Sequence, residues 1–180
     1  MTLSYRRMTC LNESVRLLSL SAFFLLTSCV LTSSSIEREI RKQYELLERA
    51  YVAQDLAAVM ASRDASLQVI VPGTDGEIEN YEQTAQLMRR WFAENKPPID
   101  VRYIIESIEV RSSDEVSARV LQRGSRYREG PDGLRHVKHE VRQRETWIRT
   151  AFGWKVRRID EIDLANRKVW VNGRSPLEDQ

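Results

Sequence analysis

Arg144, Thr146, Arg158 and Asp160, joined by Glu106, are the side chains in the second half of the chain best equipped for chemistry. Two guanidinium groups can orient an oxygen acceptor, a hydroxyl can bond it, and the acids supply counter-charge. Gathered on the core side of a sheet, such groups must pair or reach water, since an isolated buried ion costs on the order of several kcal/mol. Two outcomes follow. Either Arg144 and Asp160 form a bridge that only closes the sheet, or these groups make the polar floor of a pocket. In the second case Tyr51, Trp91 and Trp154 are its aromatic walls.

That gathering depends on strand register. From Ile99 onward the chain reads as strand: Ile99–Val110, Val116–Arg128, Leu134–Thr150 and Trp154–Asp163, with Lys168–Val171 as a short edge strand. Pro131-Asp132-Gly133 and Ala151-Phe152-Gly153 each place Gly third, as a three-residue hairpin loop with a left-handed last residue requires. Gly130 is then expected opposite Leu134, and Thr150 opposite Trp154. Counting back puts Val116 with Ile148 and Val156, Ala118 with Thr146 and Arg158, and Val120 with Arg144 and Asp160. A five-residue turn over Arg111–Glu115 adds Glu106 to that last row. A one-residue slip in either hairpin would exchange the faces.

The elements before the sheet are helical. Ser34 and Glu37 have capping-box spacing, and Ile36, Ile40, Tyr44, Leu47 and Tyr51 follow as one apolar stripe. Asp55 is placed to cap a short helix from Leu56 to about Ser62. Asn80 is placed to cap a third, with Tyr81, Ala85, Met88, Trp91 and Phe92 inward, ending before Pro97-Pro98. Between the last two, Leu67–Val71 reads as a strand closed by Pro72-Gly73 and Asp75-Gly76 turns. Helices first and a long meander after them predict an α+β fold with the helices on one face of a curved antiparallel sheet.

Other chemistries find little support. His136 and His139 stand three apart on a strand, so they point to opposite faces and cannot share an ion. No Gly-rich phosphate loop, Ser-His-acid set or metal-ligand spacing appears, so neither cofactor nor metal is expected. The chain of 180 residues, 42% hydrophobic, carries 28 basic and 26 acidic side chains. Three Arg and one Glu fall in residues 1–28, which leaves the remainder with 25 of each sign. A nucleic-acid partner is therefore not expected, although the Val116–Thr150 hairpin is locally rich in Arg.

The first 28 residues read as an address. Leu17–Ser28 is apolar and follows Arg6, Arg7 and Arg16. Twelve helical residues reach about 18 Å, short of a ~30 Å bilayer core, as a secretory signal does. Leu26-Thr27-Ser28-Cys29 resembles the lipobox of bacterial lipoproteins, which implies acylation of Cys29. Val30, where inner-membrane lipoproteins commonly carry Asp, points to the outer membrane of a Gram-negative cell. With Cys10 in the signal and Cys29 acylated, the domain would retain no thiol and no disulfide. The expected organisation is a signal over 1–28, a tether over 29–34, one domain over 35–165, and an edge strand with tail over 166–180.

Tyr51-Val52-Ala53-Gln54-Asp55-Leu56 is similar to the helix-to-helix corner of the nuclear transport factor 2-like superfamily. Thr146-Trp147-Ile148 and Gly153-Trp154-Lys155-Val156 resemble its closing hairpin. Within it the SnoaL-like group looks closest. The resemblance implies a cystatin-like cone, three N-terminal helices on the concave face of a curved sheet with a pocket between. That fold hosts isomerases, dehydratases, an epoxide hydrolase and binding modules, so it does not select a function. The isomerase branch places an Asp base where this chain has Val71. The epoxide hydrolase branch uses Asp-Arg-Asp around a water, a grouping that Glu106, Arg144 and Asp160 can imitate. The resulting expectation is a lipid-anchored, non-catalytic envelope domain. It would bind a small ligand through Tyr51, Trp91, Arg144, Thr146, Trp154, Arg158 and Asp160, or a protein partner, including a second copy through the sheet. A small-molecule enzyme using the carboxylate-Arg-carboxylate set is the alternative.

Overall fold

The computed structural model describes residues 33–70, 78–162 and 168–174. The expected signal, Cys29 and the tether up to residue 32, the two turns after Ile70, residues 163–167 and the tail beyond 174 lie outside the described residues, and the expected tether residues 33 and 34 are already helical. Helix α1 covers 33–52, so Ser34 lies inside the first turn and not at the cap position. Residues 33–38 contribute that first turn and a half; the compact body runs from Glu39 onward. Its α1 portion buries Ile40, Tyr44, Leu47 and Tyr51 at the expected intervals.

The corner after α1 is held by Gln54, which adopts φ 54° and donates through Nε2 to the carbonyls of Phe92 and Asn95. Asp55 then caps α2 (Leu56–Ala61) by accepting from the Ala58 amide at 2.9 Å. Asn80 caps α3 (Tyr81–Glu94) in a full capping box, its side chain and that of Gln83 each bonding the other's amide. Of α3 only Thr84 is buried; Leu87, Met88, Trp91 and Phe92 are half-exposed. An amphipathic helix that packed tightly would bury this stripe. Here the stripe borders open space.

Seven strands form one curved sheet: β1 (Arg63–Ile70), β2 (Ile78–Asn80), β3 (Asn95–Val110), β4 (Glu115–Gly130), β5 (Gly133–Thr150), β6 (Gly153–Glu161) and β7 (Lys168–Val171). The order is β2-β1-β6-β5-β4-β3, and β7 pairs with β5 where β5 outruns β6. Every pairing is antiparallel except β1 with β6, which is parallel. The expected wholly antiparallel sheet is therefore mixed, because β1 precedes the meander and joins it beside its last long strand.

Both hairpins differ from the expected register, for one physical reason. Gly133 and Gly153 are left-handed as anticipated, with φ 105° and 98°. Each nevertheless takes part in the ladder, Gly133 opposite Gly130 and Gly153 opposite Thr150, so each loop holds two residues rather than three. Between β4 and β5 the slip persists along the whole ladder. Val116 faces Trp147, Ala118 faces Glu145 and Val120 faces Gln143. Between β5 and β6 an extra residue, Arg157, bulges out and cancels the slip. Thr146 thus pairs with Arg158 and Arg144 with Asp160, as expected. The pairing is right and the face is not. Gln143, Glu145 and Trp147 point to the helices, and Arg144 and Arg158 are exposed on the opposite face.

The core is centred on that inner face. Tyr44, Leu67, Val101, Val116, Val120, Trp147 and Val156 are almost wholly buried. Tyr44 meets Tyr103 and Trp147 with ring centroids 5.1 Å apart in each case, the latter edge-on, a favourable aromatic geometry.

Candidate functional site

The inner face of the sheet and α3 enclose a cleft of about 410 Å³. Its apolar walls are Val69, Leu87, Met88, Trp91 and Ile159, with Tyr51 contributing a ring and a hydroxyl. Tyr51 stands edge-on to Trp91 at 6.0 Å, and its hydroxyl donates to the Met88 sulfur. Arg126 lies over the Trp91 ring at 5.4 Å and bonds His139 Nδ1 at 2.8 Å. The polar lining comprises Arg63, Thr84, Gln122, Gln143 and the carboxylates Glu79 and Glu161.

Arg63 is the group that sets the cleft's chemistry. It opens β1 opposite Val156, which turns its side chain inward, and only 7% of it is exposed. Its guanidinium lies beside Tyr51, and Nη1 is buried with no hydrogen-bond partner. Burial opposes its charge, but Tyr51, Glu145 and Tyr103 around it more than compensate and hold it firmly protonated. Thr84 Oγ1, in the same lining, is also buried without a partner. Buried polar atoms are normally satisfied, so orphaned atoms in one lining set this cleft apart from the closed core.

Behind the cleft lies a closed polar network. Glu145 is fully buried, its Oε2 accepting from the Tyr44 hydroxyl at 2.9 Å and its Oε1 from Gln143 Nε2 at 2.7 Å. Trp147 Nε1 donates to the same Tyr44 oxygen at 3.0 Å. Burial pushes the Glu145 carboxyl above the usual carboxylate range, against the pull of Arg63 and the three hydrogen-bonding side chains. Tyr44 and Tyr103 are likewise raised, first by burial and then by Glu145 for Tyr44 and by the Tyr51 phenol for Tyr103. Gln122 donates to the Tyr103 hydroxyl at 3.0 Å, which joins the network to the cleft lining.

The residues expected to form one pocket are divided among three places. Tyr51 and Trp91 do wall the cleft. Trp154 is buried on the inner face, but it sits away from the cleft: its Nε1 donates to Glu39 Oε2 and Arg149 lies 4.6 Å above its ring. Arg144, Thr146, Arg158 and Asp160 border a groove of about 570 Å³ on the outer face with Ser66 and Gln68. There Arg158 Nε donates to both oxygens of Asp160, at 2.9 and 3.0 Å, so the bridge expected from Arg144 comes from Arg158. Glu106 falls where the β3–β4 register shifts and bonds Arg142 at 2.8 Å, which removes it from any Glu106–Arg144–Asp160 set. Three-residue hairpin loops would place the outer row on the inner face, and they leave Arg63, Thr84, Gln143, Glu145 and Glu161 out of the site. Thr84, Met88 and Trp91 at helical spacing were a readable signal; for Arg63, adjacent to Asp64 at a helix end, the sequence carries none.

A mixed curved sheet preceded by helices, with a cleft on the concave side, can be set against known architectures. No protein-family model and no curated protein sequence matches the chain. Solved structures do. A nuclear transport factor 2-like superfamily protein from Salmonella enterica serovar Typhimurium shares 13% identity over 72% of this chain and 92% of its own, with a TM-score of 0.57. The fold is nuclear transport factor 2-like. Two further structures share it. A ketosteroid isomerase-like protein from Erwinia carotovora atroseptica is 17% identical over 70% of this chain and 95% of its own, TM-score 0.53. A type 2 hexachlorocyclohexane dehydrochlorinase is 11% identical over 73% and 87%, TM-score 0.56. At such identities the nuclear transport factor 2-like likeness concerns architecture alone, and the cleft's chemistry must come from its own side chains. Among the described residues no cluster of ligating side chains suits a metal, and no helix is long and apolar enough to cross a membrane.

Proposed function

We propose that the concave cleft binds a small, largely apolar ligand that presents an oxygen acceptor to Arg63, in a domain tethered to the bacterial envelope through acylated Cys29. One observation carries the first part: a permanently charged, buried guanidinium with an unpartnered Nη1 in an aromatic-walled cleft. Leaving such a donor unsatisfied costs about 1–3 kcal/mol or more, and a ligand oxygen recovers that cost only on binding. The cleft volume suits a single-ring molecule, since ligand pockets begin near roughly 300 Å³. The tether is supported by the lipobox sequence alone. The outer sheet face favours the cleft over a homodimer through the sheet, because Arg119 stands directly opposite Arg144 there.

Benzoate and the uncharged benzyl alcohol separate the terms. Benzoate should quench tryptophan fluorescence of the intact chain with a dissociation constant at least about tenfold below that of benzyl alcohol, a difference worth 1.4 kcal/mol. Because Arg63→Met alone strands Glu145 as a buried charge, the neutral double variant Arg63→Met, Glu145→Gln is the informative one. It should fold and lose the preference. Equal binding of benzoate to both proteins would refute the role of Arg63.

Glu79 and Glu161 in the same lining favour a second reading. A carboxylate facing a substrate whose carbonyl oxygen rests on a guanidinium can remove the adjacent proton. The isomerase-like and dehydrochlorinase neighbours are compatible with such chemistry. Deuterium entry at the methyl group of acetophenone in heavy water, abolished by Glu161→Gln, would establish it; exchange at the buffer rate would dismiss it.

A further inference from the structure

We propose that an anion seated on Arg63 is bound together with a proton, and that Glu145 is the group that accepts it. The inference rests on the reading of the cleft given above and adds a coupling between ligand charge and pH.

Arg63 and Glu145 share the inner face, Arg63 opposite Val156 on β6, Val156 opposite Trp147 on β5, and Glu145 two residues before Trp147. Glu145 has no exposed surface and Arg63 almost none. With no anion bound, the charges of Arg63 and Glu145 offset each other across the inner face. An anion arriving at the Arg63 guanidinium adds a second negative charge beside one cation, in a place where water screens it little. Two carboxylates sharing one site cannot both remain ionised cheaply, and one takes up a proton.

Glu145 is the one best prepared to do so. The groups that face it are Tyr44 from α1, Arg63 from β1, and Gln143 and Trp147 from its own strand, with Tyr103 of β3 nearby. Arg63 is its sole cationic neighbour among these, and the anion draws on that same charge. Burial already pushes its carboxyl upward. Each of its oxygens accepts one hydrogen bond, so a proton from solvent can be held on either without breaking the network.

Titration calorimetry of benzoate into the intact chain, between about pH 5.5 and 8.5 where benzoate stays ionised, tests this in buffers of different ionisation enthalpy. Uptake should approach one proton per benzoate, and the dissociation constant should rise up to about tenfold per pH unit over the same range. Glu145→Gln, neutral at every pH, should bind benzoate without proton uptake and without the slope. Benzoate binding to the wild-type chain with no proton uptake overturns the coupling and leaves the cleft reading intact. Uptake that persists in Glu145→Gln also overturns it, by locating the acceptor elsewhere. Should that variant not fold, the wild-type buffer series decides. Failure of benzoate to bind at all defeats the cleft reading and the coupling with it.

Discussion

Tyr44→Phe removes one oxygen and nothing else, and that oxygen does two jobs in the buried core. It donates to Glu145 Oε2 at 2.9 Å and accepts from Trp147 Nε1 at 3.0 Å. Loss of a hydrogen bond to a charged acceptor costs about 1.5–3 kcal/mol, and the indole N–H left bare adds about 1–3 kcal/mol. The ring itself stays, so packing against Tyr103 and Trp147 is kept and no cavity contributes. The expected loss near neutral pH is about 3–5 kcal/mol, or roughly 6–20 °C in Tm for a chain of this size. Urea melts of the intact chain with linear extrapolation give the number directly. The loss also has a pH signature. Because the Glu145 carboxyl titrates higher in the folded state than its ordinary 4.5, the folded protein binds more protons there than the unfolded one. That contribution is complete below pH 4.5 and is lost as pH rises through the folded value. Tyr44→Phe takes away a bond that favours the ionised form, so its deficit should be smallest at low pH and grow on the way up. A loss under about 1 kcal/mol, or a deficit flat with pH, would refute the picture of Glu145 as a buried carboxylate supported by Tyr44.

Trp154→Ala should destabilise by about 3–5 kcal/mol, since the indole is buried and bonded to Glu39, yet it should leave benzoate binding unchanged because the ring does not border the cleft. A shift in benzoate affinity measured by titration would return Trp154 to the cleft wall. Cys29→Ser should abolish incorporation of labelled palmitate and release the exported chain from membranes; a wild-type chain that is exported without taking up label would end the lipoprotein reading.

The order of elements was legible because each is declared by strong local chemistry. Asp55 and Asn80 cap where their side chains can reach the second or third amide, and the apolar stripe of α1 repeats at helical spacing whatever it packs against. The left-handed glycines were legible too, since few other residues accept that geometry. What failed was one step of counting. Whether Gly133 ends the loop or begins the strand changes no local preference, yet it decides which face every residue of β4 and β5 shares. The alternation Gln143-Arg144-Glu145-Thr146 is polar on both faces, so hydrophobic pattern could not arbitrate. Burial of Glu145 is itself the reason. A sheet whose inner face carries a carboxylate and an amide for Tyr44 and Arg63 looks, from its sequence, like a sheet with no inner face there.

The extra residue Arg157 has a consequence for how such a cleft can change over time. With Arg157 set aside, Trp154, Val156, Ile159 and Glu161 fall at alternate positions, so its deletion would leave every inward side chain of β6 inward. Arg157 itself points to the outer groove, where its Nη2 bonds Glu115 Oε2 at 3.1 Å. Its presence alters curvature, because an unmatched residue bends and twists the strand that carries it. The bend lies between the half of β6 that seals the core at Trp154 and Val156 and the half that lines the cleft at Ile159 and Glu161. Gain or loss of a single codon there would widen or narrow the cleft while preserving the identity of every group inside it. Lineages sharing this architecture thus have a route to a new cleft size that leaves its lining chemistry untouched.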